Sequence, residues 1–355
     1  MNDLVVTIRS LRRVEYLKKC LASLEANAGL EDVDFYMYQD GAVNPFSGRR
    51  HATDERVAAS LQVFEESKLP NKTIVVKDHN VGTAIQKTEM LDNLFPKYRF
   101  VMMLDNDLVF NKYYIKTILT LFRQFESRPE VGMLQTSYFY DEKTQPETPA
   151  FARKHADLVD YGFGQRWEQG FWRKKWGRIY QEYKPYVKLA CQDDYKEMLL
   201  YNKPPFRARK RTILKQYGTV STDFILEKCV TRAGYKGIHT MALRHRTVGR
   251  DGIYSDAKKF DRMKMGGAKV HAVGNADTYR FWPEVRSRPK RGAVKVAGSL
   301  PSDWMELVYE GSDTAPFTIR GQVSKKKYWR VQKGEPFPVL RVDVPFFMKH
   351  GFKST

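Results

Sequence analysis

Between residues 4 and 125 the sequence passes four times from a short apolar run to a segment of helical periodicity, the pattern of an α/β fold. Leu4–Ile8 reads as a strand, and over Val14–Leu24 the spacing of Leu17, Leu21 and Leu24 predicts a helix. Val33–Tyr38 with Glu55–Phe64 forms the second pair, and Thr73–Lys77 with a helix reaching Leu94 the third. The run that ends at Leu104, followed by Tyr114–Phe125, forms the fourth. Strands joined by helical crossovers pair in parallel, so a doubly wound, mostly parallel sheet flanked by helices is expected. Open sheets of this kind take their ligands at the carboxyl ends of the strands.

The fourth strand delivers two acids to that edge. Asp105-Asn106-Asp107 follows a buried-type run, and Leu108-Val109-Phe110 resumes apolar character at once. Two hard oxygen ligands on either side of an amide suit Mg²⁺ or Mn²⁺, which would in turn hold a diphosphate. Asp and Asn are also common turn residues, so the triplet alone equally fits a strand-to-turn junction.

The chain has 355 residues, enough for a large domain and a smaller one. No stretch approaches the roughly 20 apolar residues of a membrane span, and the N-terminus enters its first strand without a signal-type run. A cytoplasmic protein without integral membrane association is therefore expected. Cys20, Cys191 and Cys229 are far apart and form no Cys-x-x-Cys pair, which argues for reduced structural thiols rather than disulfides or zinc. No protein partner is implied.

The net charge of +20 is unevenly distributed. Residues 1 to 140 carry 18 Lys and Arg against 18 Asp and Glu, residues 141 to 260 carry 25 against 14, and the remainder 18 against 9. The positive excess falls wholly after residue 140, in clusters that include aromatics: Arg166-Trp167, Phe171–Trp176, Arg207–Arg211, Arg286–Arg291 and Lys325–Arg330. Such a field suits a polyanion, either nucleic-acid phosphates or an anionic membrane surface. After Val131–Gln135, which reads as a further strand, periodicity weakens up to Pro205, and acceptor-binding loops are expected there. Thr222–Ala233 reads as a helix ended by Gly234. From about Val294, short alternating runs such as Glu306–Tyr309, Phe317–Arg320, Tyr328–Val331 and Val339–Val342 predict a small β-rich module.

Five segments, in order, resemble the inverting family-two glycosyltransferases of GT-A fold. Leu4–Leu24 is similar to that family's opening strand and helix, and Gln39-Asp40-Gly41 to its acidic turn. His79-Asn80-Val81-Gly82 with Gln86-Lys87 resembles its Asn-x-Gly segment, and Asp105-Asn106-Asp107 its DXD motif. Thr222-Asp223 through Gly234-Tyr235, with Arg244-His245 beyond, resembles the Glu-Asp helix, the Gly-Tyr and the later metal-binding histidine. The resemblance covers roughly residues 1 to 250 and implies a GT-A, Rossmann-like domain over 1–265. Its nucleotide-sugar half would be 1–110 and its acceptor half 111–265, followed by a linker at 266–293 and the β-rich module at 294–355.

The resemblance further implies Mn²⁺ or Mg²⁺ on Asp105, Asp107 and His245. It implies a nucleotide sugar, a UDP-sugar by expectation, against Thr7, Arg9, Asp40, Asn80, Gly82, Lys87, Asp105 and Asn106. Asp223 would be the general base; Thr222 stands where the family usually has an acid, so only Asp223 carries that role over. The bland alternatives are an N-terminal helix acid at Asp223, a simple turn at Asp40-Gly41 and a surface lysine at Lys87.

Because the donor half is electrically neutral, the positive field is assigned to the acceptor. Aromatics beside cations suit nucleic acid, and the leading expectation is transfer to a hydroxyl on modified DNA, resembling phage enzymes that glycosylate 5-hydroxymethylcytosine. Trp172, Arg173, Lys174, Lys175, Arg207, Arg209, Lys210, Arg211, Lys325, Lys326 and Lys327 are the expected acceptor contacts. The competing readings are a peripheral-membrane enzyme that builds a surface glycan or lipid-linked saccharide, and a non-catalytic nucleotide-sugar-binding phage protein.

Overall fold

The computed structural model describes residues 2–138, 148–195, 197, 205–250, 260, 270, 271 and 273–281, together with the backbone of 295–296, 304–309, 317–322, 327–332 and 335–338. Two compact units divide the chain, Met1–Tyr140 with Glu147–Trp282 and Asp141–Pro146 with Pro283–Thr355.

In the first unit the expected alternation is present. β1 (Leu4–Ser10), α1 (Val14–Glu25), β2 (Val33–Gln39), α2 (Asp54–Glu65), β3 (Lys72–Val76), α3 (Gly82–Leu94), β4 (Phe100–Asp105), β5 (Leu108–Phe110) and α4 (Tyr114–Phe125) follow in order. Next come β6 (Val131–Gln135), α5 (Pro149–Lys154), β7 (Leu158–Tyr161), β8 (Glu168–Trp172), α6 (Arg173–Ala190), α7 (Phe206–Tyr217), α8 (Thr222–Arg232), β9 (Lys236–Thr240), β10 (His245–Thr247) and β11 (Arg280–Phe281). Among the described residues the large sheet has the order β11-β7-β9-β6-β8-β4-β1-β2-β3. β3, β2, β1 and β4 run parallel, so their carboxyl ends share one edge.

Two apolar clusters cover the two faces of this sheet. On one side α1 and α4 pack Leu17, Leu21, Ile118 and Phe122 against alternate residues of β1 and β4 such as Val6, Ile8 and Met102. On the other, α3, α6 and α8 pack Met90, Tyr183, Ile225 and Val230 against Val5, Val101 and Met103. The strands are therefore apolar on both faces, as a helix-covered parallel sheet requires.

The region of weak periodicity is more regular than its sequence suggested. β8 lies between β4 and β6, antiparallel to both, and α6 runs on directly from it. Gly170 is required there, because a Cβ would come within 2.7 Å of the Phe122 ring and 3.2 Å of Leu134. In α6 the buried residues Lys175, Trp176, Ile179, Tyr183 and Tyr186 mark one face, but Pro185 and the surrounding charges obscure that stripe. Part of the segment expected to be a linker also belongs to this unit: β11 pairs with β7, and Tyr279 is buried.

The second unit holds an antiparallel meander, β12 (Lys295–Val296), β13 (Trp304–Tyr309), β14 (Phe317–Gln322), β15 (Lys327–Gln332) and β16 (Glu335–Pro338), in sequential order. Three expected runs fall on β13, β14 and β15. The fourth, Val339–Val342, lies outside the described residues, as do Lys325, Lys326 and Arg286–Arg291; Lys327 opens β15.

Candidate active site at the carboxyl edge of the sheet

Asp105 ends β4, and Arg9 is its register partner on β1. The two side chains form an ion pair. Arg13, at the start of α1, donates to Asp107 Oδ2 at 2.6 Å and to Asn106 Oδ1 at 3.3 Å. Asp107 is further enclosed by the chain after β10: the Val248 N–H donates to its carbonyl at 2.8 Å, and a Cβ on Gly249 would sit 2.1 Å from Oδ2. Only glycine fits that approach. Asp107 Oδ1 is buried without a hydrogen-bond partner.

Lys87, on α3, reaches beneath this edge, 1% exposed along its side chain, and donates to Gln169 Oε1 and Asp223 Oδ1. Asp223 lies in the first turn of α8, where the helix dipole favours a carboxylate. Burial alone would raise its pKa, but Lys87 and Arg9 outweigh burial and hold it below the usual range. Lys87 is itself lowered by burial, against the pull of Asp223. Asp105 is raised by burial despite Arg9, with Asp107 and Asp223 adding to the rise.

One turn along α8, Glu227 is buried and ion-paired to Arg166 Nε at 2.9 Å. Burial raises its pKa to about 7, against the opposing effect of Arg166. Among the described residues the edge thus gathers four acid–base pairs: Arg9 with Asp105, Arg13 with Asp107, Lys87 with Asp223, and Arg166 with Glu227.

The neighbouring turn is built around Asp40. Its Oδ1 accepts the N–H of Gly41 at 3.1 Å and of Val81 at 2.9 Å, while Oδ2 accepts Asn80 Nδ2 at 2.9 Å and the Gly82 N–H at 3.2 Å. Burial pushes its pKa up to about 6 although these donors oppose the rise. Gly82 takes φ +76°, a left-handed conformation that suits glycine at the entry to α3. A small open depression lies beside this turn, lined by residues that include Gly82, Ala84, Tyr186, Asp193 and Ile213.

Several expectations need correction. Thr7 is completely buried and donates to the Met102 carbonyl, so it holds two strands together instead of facing a ligand. Asp40 spends both oxygens on its own turn, so it shapes the loop rather than standing open to a nucleobase. Lys87 faces Asp223 and Gln169 rather than an open phosphate site.

His245 does not complete a metal triad. It is fully buried, with Nδ1 3.0 Å from Ser137 Oγ and 3.3 Å from Glu168 Oε1, while Nε2 is buried and unpartnered. Among the described residues no three His, Cys, Asp or Glu side chains form a group that could hold a metal. Glu168 also accepts Tyr114 Oη at 2.6 Å, and these partners overcome burial to hold its pKa low.

The expected acceptor cluster at 172–175 lies at the wrong end of the sheet. Trp172 pairs with Phe100, at the start of β4, five residues and roughly 17 Å from Asp105. Trp172 is 1% exposed, and its Nε1 donates to the Phe122 carbonyl at 2.9 Å. Lys175 is buried, and its Nζ caps the Phe125 and Arg128 carbonyls. Arg173 and Lys174 are exposed at that far edge. On α7, Arg207 and Arg211 are exposed, Lys210 is half-buried and Arg209 lies 3.4 Å from Asp193.

The sequence matches no protein-family model and no curated protein. Solved structures with some likeness include S. aureus TarS 1-349 in complex with UDP-GlcNAc, at 16% identity and TM-score 0.31 over 42% of this chain and 38% of that one. A longer S. aureus TarS structure matches at 10% identity and TM-score 0.39 over 77% and 41%. The mannosyltransferase PcManGT from Pyrobaculum calidifontis, in complex with GDP-Man and Mn²⁺, matches at 10% identity and TM-score 0.35 over 65% and 76%. The chain spans less than half the length of the TarS structures. At these scores the likeness carries no weight for function, which has to be read from the site itself.

Proposed function

We propose that this protein is a glycosyltransferase that moves a sugar from a nucleoside diphosphate sugar, a UDP-sugar in the first instance, to a hydroxyl on a modified base of DNA. The observation that carries this reading is the set of matched acids and cations where the parallel strands end, with Asp223 brought to them from a helix more than 110 residues further along the chain than Asp105. Arg9 and Arg13 are the cations at the strand ends that a departing diphosphate would draw on. Asp223 accepts the proton of the acceptor hydroxyl. As that oxygen bonds to the anomeric carbon, the bond from this carbon to the diphosphate oxygen breaks, and the electron pair leaves with the diphosphate. One displacement inverts the configuration.

A divalent ion fits the site in part: Asp105 and Asp107 supply two carboxylates and one oxygen of Asp107 is free of hydrogen bonds, whereas His245, whose Nδ1 faces Ser137 and Glu168 and whose Nε2 is without a hydrogen-bond partner, forms no three-ligand group with them. An Mn²⁺ or Mg²⁺ held by those two acids would draw its remaining oxygens from the diphosphate and water, and would neutralise the leaving group. The polyanionic acceptor is supported by the positive excess after residue 140 and by the exposed Arg207 and Arg211 of α7.

The test is incubation with labelled UDP-sugars, Mn²⁺ or Mg²⁺, and plain or hydroxymethylcytosine DNA. Label should enter only the modified DNA, and Asp223→Asn should abolish transfer while retaining donor binding. Absence of DNA labelling with every donor would overturn the acceptor. Donor hydrolysis alone would keep the transferase with another acceptor.

A further inference from the structure

We infer that Phe224 and Arg166 form a stacking platform for a nucleobase of the acceptor strand, at the mouth of the site beside Asp223. The inference rests on the polynucleotide-acceptor reading above and names the side chains that would position the reacting base. Phe224 is one of few large apolar residues left exposed, at 42%, although it follows directly on Asp223 in the first turn of α8. Its neighbours Ile225 and Leu226 are fully buried, so α8 turns this ring outward while packing the rest of its apolar face.

One side of the ring is already covered. The Arg166 guanidinium carbon lies 3.5 Å from the ring centroid, a close cation–π stack. Arg166 cannot readily swing away, because Glu227 accepts its Nε from the next turn of the same helix. The same guanidinium acts on Asp223, lowering its pKa. A single cation therefore backs the ring, pairs with a buried acid and lies within electrostatic reach of the residue assigned as base.

What remains open is part of an aromatic surface, polarised from behind by a positive charge. A flat, electron-rich π system matches it, and the positive charge also favours the phosphate that accompanies a nucleotide. A neutral sugar ring would use the ring but not the charge, and the excess of cations after residue 140 favours the nucleotide. Arg166 lies just before β8, and the adjoining Trp167 carbonyl accepts the Asp105 N–H at 2.9 Å. The platform is thereby joined to the strand end that carries the acids. This is the basic–aromatic pair that the cluster at 172–175 was expected to supply.

The test uses a single-stranded oligonucleotide carrying 2-aminopurine, whose fluorescence falls on stacking, titrated with the full chain. Wild type should bind and quench it. Phe224→Ala should lose the quenching and bind about tenfold more weakly. Phe224→Trp should keep both, and Arg166→Lys should lose part of the quenching because an ammonium does not form a planar stack. UDP binding, followed by calorimetry, should stay unchanged in the Phe224 variants, which separates a platform defect from a folding defect.

Full affinity and quenching in Phe224→Ala would overturn the platform. Binding without quenching, with 2-aminopurine placed at every position in turn, would overturn it while leaving the polynucleotide acceptor intact. No binding of any oligonucleotide, with UDP still bound, would overturn both the platform and that acceptor but not the transferase.

Discussion

Replacing Asp223 with alanine is expected to destabilise the fold as well as remove the base, and the two effects can be separated through Lys87. The Lys87 side chain is 1% exposed, and its acceptors are Asp223 Oδ1 and Gln169 Oε1. Without Asp223 a buried ammonium is left with a neutral amide, a change that costs about 3–5 kcal/mol in comparable buried pairs. The reverse change is milder: in Lys87→Met the Asp223 side chain, 26% exposed, can take up water, and the cost should be about 1–2 kcal/mol. The double variant should resemble Lys87→Met, giving a coupling of about 3–5 kcal/mol, the whole cost of Asp223→Ala.

Urea unfolding followed by tryptophan fluorescence measures all four proteins. The pH dependence provides a second check. A lysine whose folded pKa is lowered binds fewer protons folded than unfolded, so stability rises with pH through that interval. The deficit of Asp223→Ala should therefore shrink as pH rises toward the ordinary lysine value and Lys87 sheds its proton. Additive costs, or a deficit that does not change with pH, would refute the pairing. In Lys87→Met the acid limb of the rate profile should move up, because burial of Asp223 would lose its largest opposing charge.

Asp40→Ala should lower stability by about 2–4 kcal/mol and weaken UDP binding, since four donors lose their acceptor and the turn into α3 loosens; calorimetry with UDP checks this, and unchanged affinity would detach the turn from the donor site. Glu168→Gln removes the charge that faces His245, Tyr114 and Thr136, and should cost about 3 kcal/mol at pH 7. Because the Glu168 pKa is depressed, that loss should fade as pH falls through its folded value, an outcome read from urea midpoints between pH 7 and pH 3. Trp172→Ala should cost about 3–5 kcal/mol without changing the salt slope of DNA binding, whereas Arg207→Glu with Arg211→Glu should reduce that slope and leave stability nearly unchanged.

The first 125 residues were readable because strand and helix alternate there with clean periods, even across the longer loop of residues 40–53 between β2 and α2. The places of Asp105 at the end of β4 and of Asp223 in the first turn of α8 were also legible, while their roles belong to the proposed function. Arg13 and Arg166 were not assigned roles, because their meaning depends on partners 94 and 61 residues away that no local period marks. The 172–175 cluster failed for the opposite reason: Trp172 and Lys175 have the composition of a nucleic-acid surface, but β8 is an interior strand and α6 turns Lys175 inward to cap α4. Composition reports which residue types are present, whereas exposure is decided by the strand order. Gly170 was the available clue, since a glycine inside a strand signals close packing.

The pairing at the sheet edge has a consequence for ligand order. Four acids and four bases bring the described cluster near neutrality, so an incoming diphosphate finds no unspent positive charge and a lone divalent ion finds no unspent carboxylate pair. Each would have to displace an existing partner: a guanidinium from Asp105 or Asp107 for the ion, an acid from Arg9 or Arg13 for the phosphates. Entering together they neutralise one another, and the displaced guanidinium groups gain phosphate oxygens in exchange for carboxylates. Metal and nucleotide should therefore raise each other's affinity by the same factor, as linkage requires.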